Sequence, residues 1–317
     1  MKKSWQLLTL LIPGFVLLLL ATPSAPFSPH GSRTAKPAGQ SFKVGADPYG
    51  IAFDGTNIWV TNNGGDTVTR LQAANGSLPG TCAVGSRPLG LAFDGQNIWV
   101  VNHAGNTVTK LRASDGSLVG TYRVGAGPIG ILFDGKYIWV ANEKDYSVTK
   151  LRAGDGAPVG TYSAGPQPLG LAFDGKNIWV TNGQANVVTK LRARDGSLVG
   201  RYPTGPVPWN LVFDGTNLWV VNTGGNSVTK LRASDGSLVG TYAVGYQPWS
   251  IAFDGKNIWV SNSGDSTVTK LEASGAVFAG AYGVAGGAEA LVIAKKDLWV
   301  TNIGRDTVTK LPLSSLK

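Results

Sequence analysis

The chain of 317 residues holds one cysteine, Cys82, one methionine and two histidines, His30 and His103. A single cysteine excludes an internal disulfide, so stability must come from packing. Charged residues make up only 15% of the chain, and no stretch sustains a 3.6-residue apolar pattern, which excludes a helical fold. The apolar run from Leu7 to Ala21 is shorter than the roughly 20 residues a membrane span needs. No nucleophile–base pair, metal-ligand cluster or phosphate loop is legible, and scattered Gly-x-x-Gly fragments arise from turns. No catalytic residue, metal or cofactor is therefore expected, and the sequence leans away from an enzyme without deciding the point.

What the chain has is glycine, 44 residues of it, and a repeat. Ile58-Trp59-Val60 returns as Ile98-Trp99-Val100, Ile138-Trp139-Val140, Ile178-Trp179-Val180, Leu218-Trp219-Val220, Ile258-Trp259-Val260 and Leu298-Trp299-Val300. The spacing is forty residues each time, and each copy holds four short β-branched runs separated by Gly, Asn or Asp. Asp-Gly pairs tolerate the positive φ of hairpin turns. A period near forty with four strands per copy predicts an all-β, seven-bladed β-propeller of four-stranded antiparallel blades.

The two ends complement each other. The last copy stops at Leu311 after its third strand, while Ser41-Phe42-Lys43-Val44-Gly45 matches the fourth-strand segment Thr241-Tyr242-Ala243-Val244-Gly245. The N-terminal strand should complete the last blade and close the ring. Cys82 stands where most copies have tyrosine, which marks it as a packed filler. Residues 41–317 are thus read as the propeller, 25–40 as a Pro/Ser/Gly-rich linker and 1–24 as a signal peptide. Lys2 and Lys3, the apolar run and the small residues from Thr22 to Ser28 have the order of a secretory signal, cleaved after Ser24 or retained as an anchor. The expected location is secreted or extracytoplasmic, in the periplasm or cell envelope.

The strand Trp59-Val60-Thr61-Asn62 and its equivalents resemble the YVTN-type β-propeller repeat family, whose members are typically surface-layer, periplasmic or secreted proteins. The repeat is also similar to that of the virginiamycin B lyase propellers. That resemblance implies a metal ion held by His and Glu on one face, but those repeats commonly carry Glu where this chain has Asn after Trp-Val-Thr.

An antiparallel meander puts the first-to-second and third-to-fourth turns on one face. The second-to-third loops and the blade links lie on the other. The first face repeats almost without change, through Asp54, Asp94 and Asp134 and through Asp115, Asp155 and Asp195, each before Gly, and reads as plain hairpin turns. The second face varies. A site for one asymmetric ligand must use residues that break the sevenfold pattern, so binding is expected there. Candidates are Tyr49, Trp209 and Trp249 near the channel mouth, with Tyr246, as flat apolar surfaces for a sugar, aromatic group or peptide. Arg87, His103, Glu143, Asp145, Gln247 and Glu289 are the polar candidates. Asn62 and its equivalents, and the seven strand tryptophans, read as structural.

Formal charge is +9, and the excess is patterned: Arg70, Lys110, Lys150, Lys190, Lys230, Lys270 and Lys310 recur, with Arg112, Arg152, Arg192 and Arg232 two residues on. Side chains two apart share one side of a strand, so a basic belt should circle the disc and could attract an anionic cell-envelope polymer. The sequence therefore points to a monomeric module that binds a protein, peptide or carbohydrate, without nucleic acid. A lyase or hydrolase on the same face and a structural envelope protein are the alternatives.

Overall fold

The computed structural model describes residues 39–316. These form seven four-stranded antiparallel sheets arranged as a seven-bladed β-propeller, six of them from consecutive strands. The second blade is representative, with strands Pro88–Phe93, Asn97–Asn102, Thr107–Arg112 and Leu118–Arg123 running from the channel to the rim. The seventh blade takes its outermost strand from the other end of the chain. Gln40–Lys43 pairs antiparallel with Thr307–Pro312, Phe42 opposite Val308. The propeller thus begins one residue before the expected boundary. The expected signal and most of the expected linker lie outside the described residues.

Each blade is held by its tryptophan, and the seven are 0–1% exposed. In six blades the tryptophan is followed by a fourth-strand aromatic that packs on it, as Trp99 on Tyr122 at 5.4 Å. In the seventh blade that aromatic is Phe42 from the N-terminal strand, stacked on Trp299 at 5.4 Å. Cys82 takes the tyrosine position in the first blade, half-buried against the Trp59 cluster. The next blade's turn glycine lies over this aromatic: a Cβ on Gly156 would stand 2.1 Å from the Tyr122 ring.

The Asp-Gly turns do more than reverse the chain. Asp54 accepts the backbone N–H groups of Thr56 and Asn57, and its second oxygen accepts the Trp59 indole N–H at 2.7 Å. Six blades repeat this bond. The seventh has Ala294 at that position, and the buried Trp299 Nε1 has no partner. Burial opposes ionisation of Asp54, yet the indole and amide hydrogen bonds outweigh it and hold the carboxyl below the usual carboxylate range.

The expected basic belt divides in two. The inner set is not a solvated surface. Lys110, Lys150, Lys190 and Lys230 are 1–6% exposed, because the next blade covers the middle of the third strand. Lys110 Nζ stands 4.9 Å from the Trp99 ring centre and donates to the Ala153 and Gly154 carbonyls of the following blade. Cation–π contact and charged hydrogen bonds together repay much of its desolvation. The outer arginines are exposed, and each faces the aspartate three residues on, as Arg152 faces Asp155 at 2.7 Å. Exposed pairs of this kind add little stability.

The C-terminal segment also enters the ring. After a short 3-10 turn, Leu313–Ser315, the buried Leu316 joins the last blade's core, and its carbonyl accepts Lys270 Nζ at 2.9 Å.

Candidate functional site

The variable face is built on a repeated scaffold. Each second strand ends in a buried asparagine whose role is wider than bonding its own loop. Asn62 accepts the Gly45 amide of the blade link and donates to Thr67 and Thr69 of the third strand. A second latch ties five of the seven loops to the following link. Asp66 accepts the Arg87 amide, Asn106 that of Gly127, Asn186 that of Val207, Asn226 that of Gln247 and Asp306 that of Asp47. Tyr146 and Ser266 occupy the latch position in the third and sixth blades, and there the preceding residue holds the link that enters its own blade instead. Asp145 accepts the Ala126 amide and Asp265 that of Tyr246.

This places several of the sequence candidates. Asp145 is exposed, with one oxygen committed to its link. Arg87 and Gln247 sit at link tips with φ of 53° and 50°, their amides latched and their side chains exposed. Tyr246 is 50% exposed at the link before Trp249. His103 is half-buried and its Nδ1 lies 3.2 Å from the Pro128 carbonyl, while Glu143 accepts Gln167 Nε2 at 2.9 Å. Glu143 and Asp145 share the third blade's loop and the His103 amide bonds the Arg87 carbonyl, but no side-chain hydrogen bond or ion pair joins these polar groups to one another among the described residues.

The channel mouth differs. Seven equivalent first-strand positions ring it: Tyr49, Leu89, Ile129, Leu169, Trp209, Trp249 and Glu289. Four consecutive blades, the fifth, sixth, seventh and first, supply Trp209, Trp249, Glu289 and Tyr49, and the other three supply only aliphatic groups. Trp209 and Trp249 lie 4.0 Å apart at 36°, and Tyr49 meets Trp249 edge-on at 6.4 Å. The rings therefore pack on one another at the mouth, each only partly buried. Burial, then the negative charge of Glu289, drives the Tyr49 phenol up, against indole bonds from Trp249 and Trp209. Glu289 is 4% exposed, and burial pushes its carboxyl up to about 7 despite a hydrogen bond from Ser263.

Beneath the rings the channel holds a cavity of about 200 Å³, lined by the three aromatics, Asn210, Ser250 and the Ile/Leu ring that starts at Ile51. Asn210 Nδ2 reaches Ser250 Oγ at 3.4 Å. The first four blades have glycine at this position, since a Cβ on Gly50 or Gly130 would meet the next blade's carbonyl at 2.3 or 2.0 Å. Sequence reasoning missed Asn210 and Ser250, although forty-residue arithmetic aligns both with Gly50. It counted Glu289 among the polar candidates without placing it in this ring. Ala288 replaces the proline that marks the other six positions, and this hid its place in the ring.

Charge separates the faces as well. The loops, links and mouth of this face carry Asp47, Asp66, Glu143, Asp145, Asp265, Glu289 and Asp306 against Arg87, Lys144 and Arg305, with Lys43 and Arg123 at the adjoining strand ends. Two larger depressions, about 540 and 570 Å³, lie on the opposite face between hairpin turns. Their linings follow the repeat, so neither offers a unique site.

Solved structures share the fold. The chain is similar to a streptogramin B lyase structure, with a TM-score of 0.75 and 19% identity over 86% of this chain and 96% of that one. A virginiamycin B lyase from Staphylococcus aureus gives 0.75 and 17%, over 86% and 98%. A hydrazine synthase of Kuenenia stuttgartiensis gives 0.73 and 18%, over 89% and 98%. At these identities the likeness is one of fold. No family model matches the chain. No curated protein matches it.

The metal site implied by the lyase resemblance does not fit these residues. Among the described residues no three His, Cys, Asp or Glu side chains stand together as a ligand set. The asparagines stand where the resemblance has glutamate, carry no charge, and donate Nδ2 to the scaffold, as Asn62 does to Thr67 and Thr69, while His103 rests on a backbone carbonyl.

Proposed function

We propose that this chain is an extracytoplasmic binding module that holds one ligand on its variable face, at the channel mouth. One observation carries the reading. The channel-mouth positions that break the sevenfold pattern gather into a single arc, where three partly buried aromatic rings and a buried carboxyl stand above a cavity that Asn210 and Ser250 help line. Tryptophan and tyrosine offer broad contact at low entropic cost, and a few polar groups fix orientation. The aspartates, lysines and tryptophans of the other face serve the ring itself. The order of residues 1–24 and the YVTN-like strands support export, and a peptide or carbohydrate is the partner class. Trp209→Ala/Trp249→Ala should abolish binding to the ligand found in a panel of cell-wall sugars and peptides while the melting temperature holds. Binding that survives the double substitution would place the site elsewhere.

A second reading is an enzyme of lyase or hydrolase type on the same face. Its support is the fold shared with streptogramin B lyase and a carboxyl that titrates near 7, the range suited to proton transfer at neutral pH. Turnover of a streptogramin substrate that is lost with Glu289→Gln would favour it over simple binding.

A further inference from the structure

We infer that the channel mouth recognises an organic cation, an alkylammonium or guanidinium group, with the Trp209, Trp249 and Tyr49 rings as its apolar walls and Glu289 as its counter-charge. This inference rests on the binding reading above and names its ligand class. Three independent features converge on it.

The first is the uncompensated carboxyl. Glu289 is 4% exposed, yet among the described residues neither lysine nor arginine pairs with it, and all six ion pairs lie elsewhere. The Ser263 hydroxyl from the preceding blade hydrogen-bonds it, and its charge in turn acts on the Tyr49 phenol of the following blade. Arg305, in the same blade, packs over Gly286 instead. A buried carboxyl without a cation is costly, and a ligand cation would remove that cost.

The second feature is the wall beside it. Aromatic faces attract cations through their quadrupoles, most strongly where water is excluded. In the blades the chain already uses this contact, with Lys150 Nζ 4.8 Å from the Trp139 ring centre. At the mouth the rings have no lysine over them: the cation–π contacts among the described residues all belong to the blade tryptophans and Tyr137.

The third is the field. The loops of this face hold more carboxylates than cations, so a positive ligand is drawn to it and a negative one is repelled. The cavity beneath the rings, about 200 Å³ and lined by Tyr49, Trp209 and Trp249 but not by Glu289, suits a small head group held among the rings better than a drug-sized molecule, whose pockets run about 300–1,000 Å³. A free amine and a lysine or arginine side chain in a peptide share this chemistry.

Calorimetric titration with choline, butylguanidinium and 3,3-dimethyl-1-butanol, the uncharged isostere of choline, tests the inference at constant ionic strength. Expected is one-to-one binding of choline or butylguanidinium at pH 8, with the neutral alcohol at least tenfold weaker. Glu289→Gln should weaken the cation at least tenfold and leave the alcohol unchanged. Because Glu289 is half-protonated near pH 7, cation binding should release a proton there, seen as a heat that changes with the buffer's ionisation enthalpy. That readout needs no variant and stands even if Glu289→Gln misfolds. A lysine-containing peptide that binds more tightly than choline would point to a peptide source, and equal affinity to a free amine. If the alcohol matches the cations and both are lost in Trp209→Ala/Trp249→Ala, the binding reading stands and the cation inference falls. Failure of every probe, undiminished cation binding by Glu289→Gln, or a buffer-independent heat overturns it.

Discussion

Lys310 in the last blade donates its ammonium to the Ala73 carbonyl of the first, at 2.9 Å across 237 residues of sequence. The same bond runs from Lys110 to Ala153, Lys150 to Ala193 and Lys190 to Ala233, so the ring closes with the interaction that builds its interior seams. Closure is therefore doubled, by this grip and by pairing of Gln40–Lys43 with the final strand. Deleting residues 39–43 should unfold the seventh blade and remove the Phe42–Trp299 stack, lowering the melting temperature sharply. An unchanged melting curve would contradict closure by the N-terminal strand.

The seventh blade lacks one bond the others have. Ala294→Asp should give the orphaned Trp299 Nε1 its acceptor and raise stability by about 1 kcal/mol, roughly 2–4 °C for a ring of this size. Asp174→Ala, which orphans Trp179, should cost on the order of 2 kcal/mol. Thermal melts of both variants check the pair, and equal effects of like sign would contradict the assigned role.

Neighbouring basic residues should behave differently. Lys150→Ala removes a buried ammonium that bonds the next blade, and a loss of about 2 kcal/mol is expected. Arg152→Ala, two residues away on the same side, should change stability by less than about 0.5 kcal/mol. Denaturant unfolding distinguishes the two.

Period reasoning reached the fold because alternation and a forty-residue spacing follow from backbone geometry alone. It placed Lys150 and Arg152 correctly on one side of a strand. It gave no depth, because depth depends on how the next blade lies across the strand centre and leaves its end open. The same limit hid the second duty of Asp54, since an Asp-Gly pair satisfies a turn whether or not an indole N–H waits beside it. At the candidate site, Trp209, Trp249 and Tyr49 were readable by their position after the link proline, whereas Ala288 concealed Glu289. Asp145 was read as a free polar group, but its carboxylate latches a neighbouring link. That contact joins segments 19 residues apart, and no local pattern marks it.

Acid and base act oppositely on the ring. Asp54, Asp174, Asp214 and Asp254 are held below their ordinary range, so their contribution is present above the unfolded value and is lost as pH falls through the folded one. The Glu289 carboxyl is raised, so its contribution is present at low pH and is lost as pH rises from about 4.5 to about 7. Glu289→Gln should accordingly stabilise the protein at pH 8, by on the order of 2 kcal/mol, and change little at pH 4. Melting temperatures across that range give the answer.

The most direct measurement of the functional account is a thermal-shift screen of sugars, peptides and organic amines against the purified chain and its Trp209→Ala/Trp249→Ala variant. The account predicts at least one compound that raises the melting temperature of the native chain and leaves the variant unmoved. Stabilisation of both proteins to the same extent would contradict a site at the channel mouth.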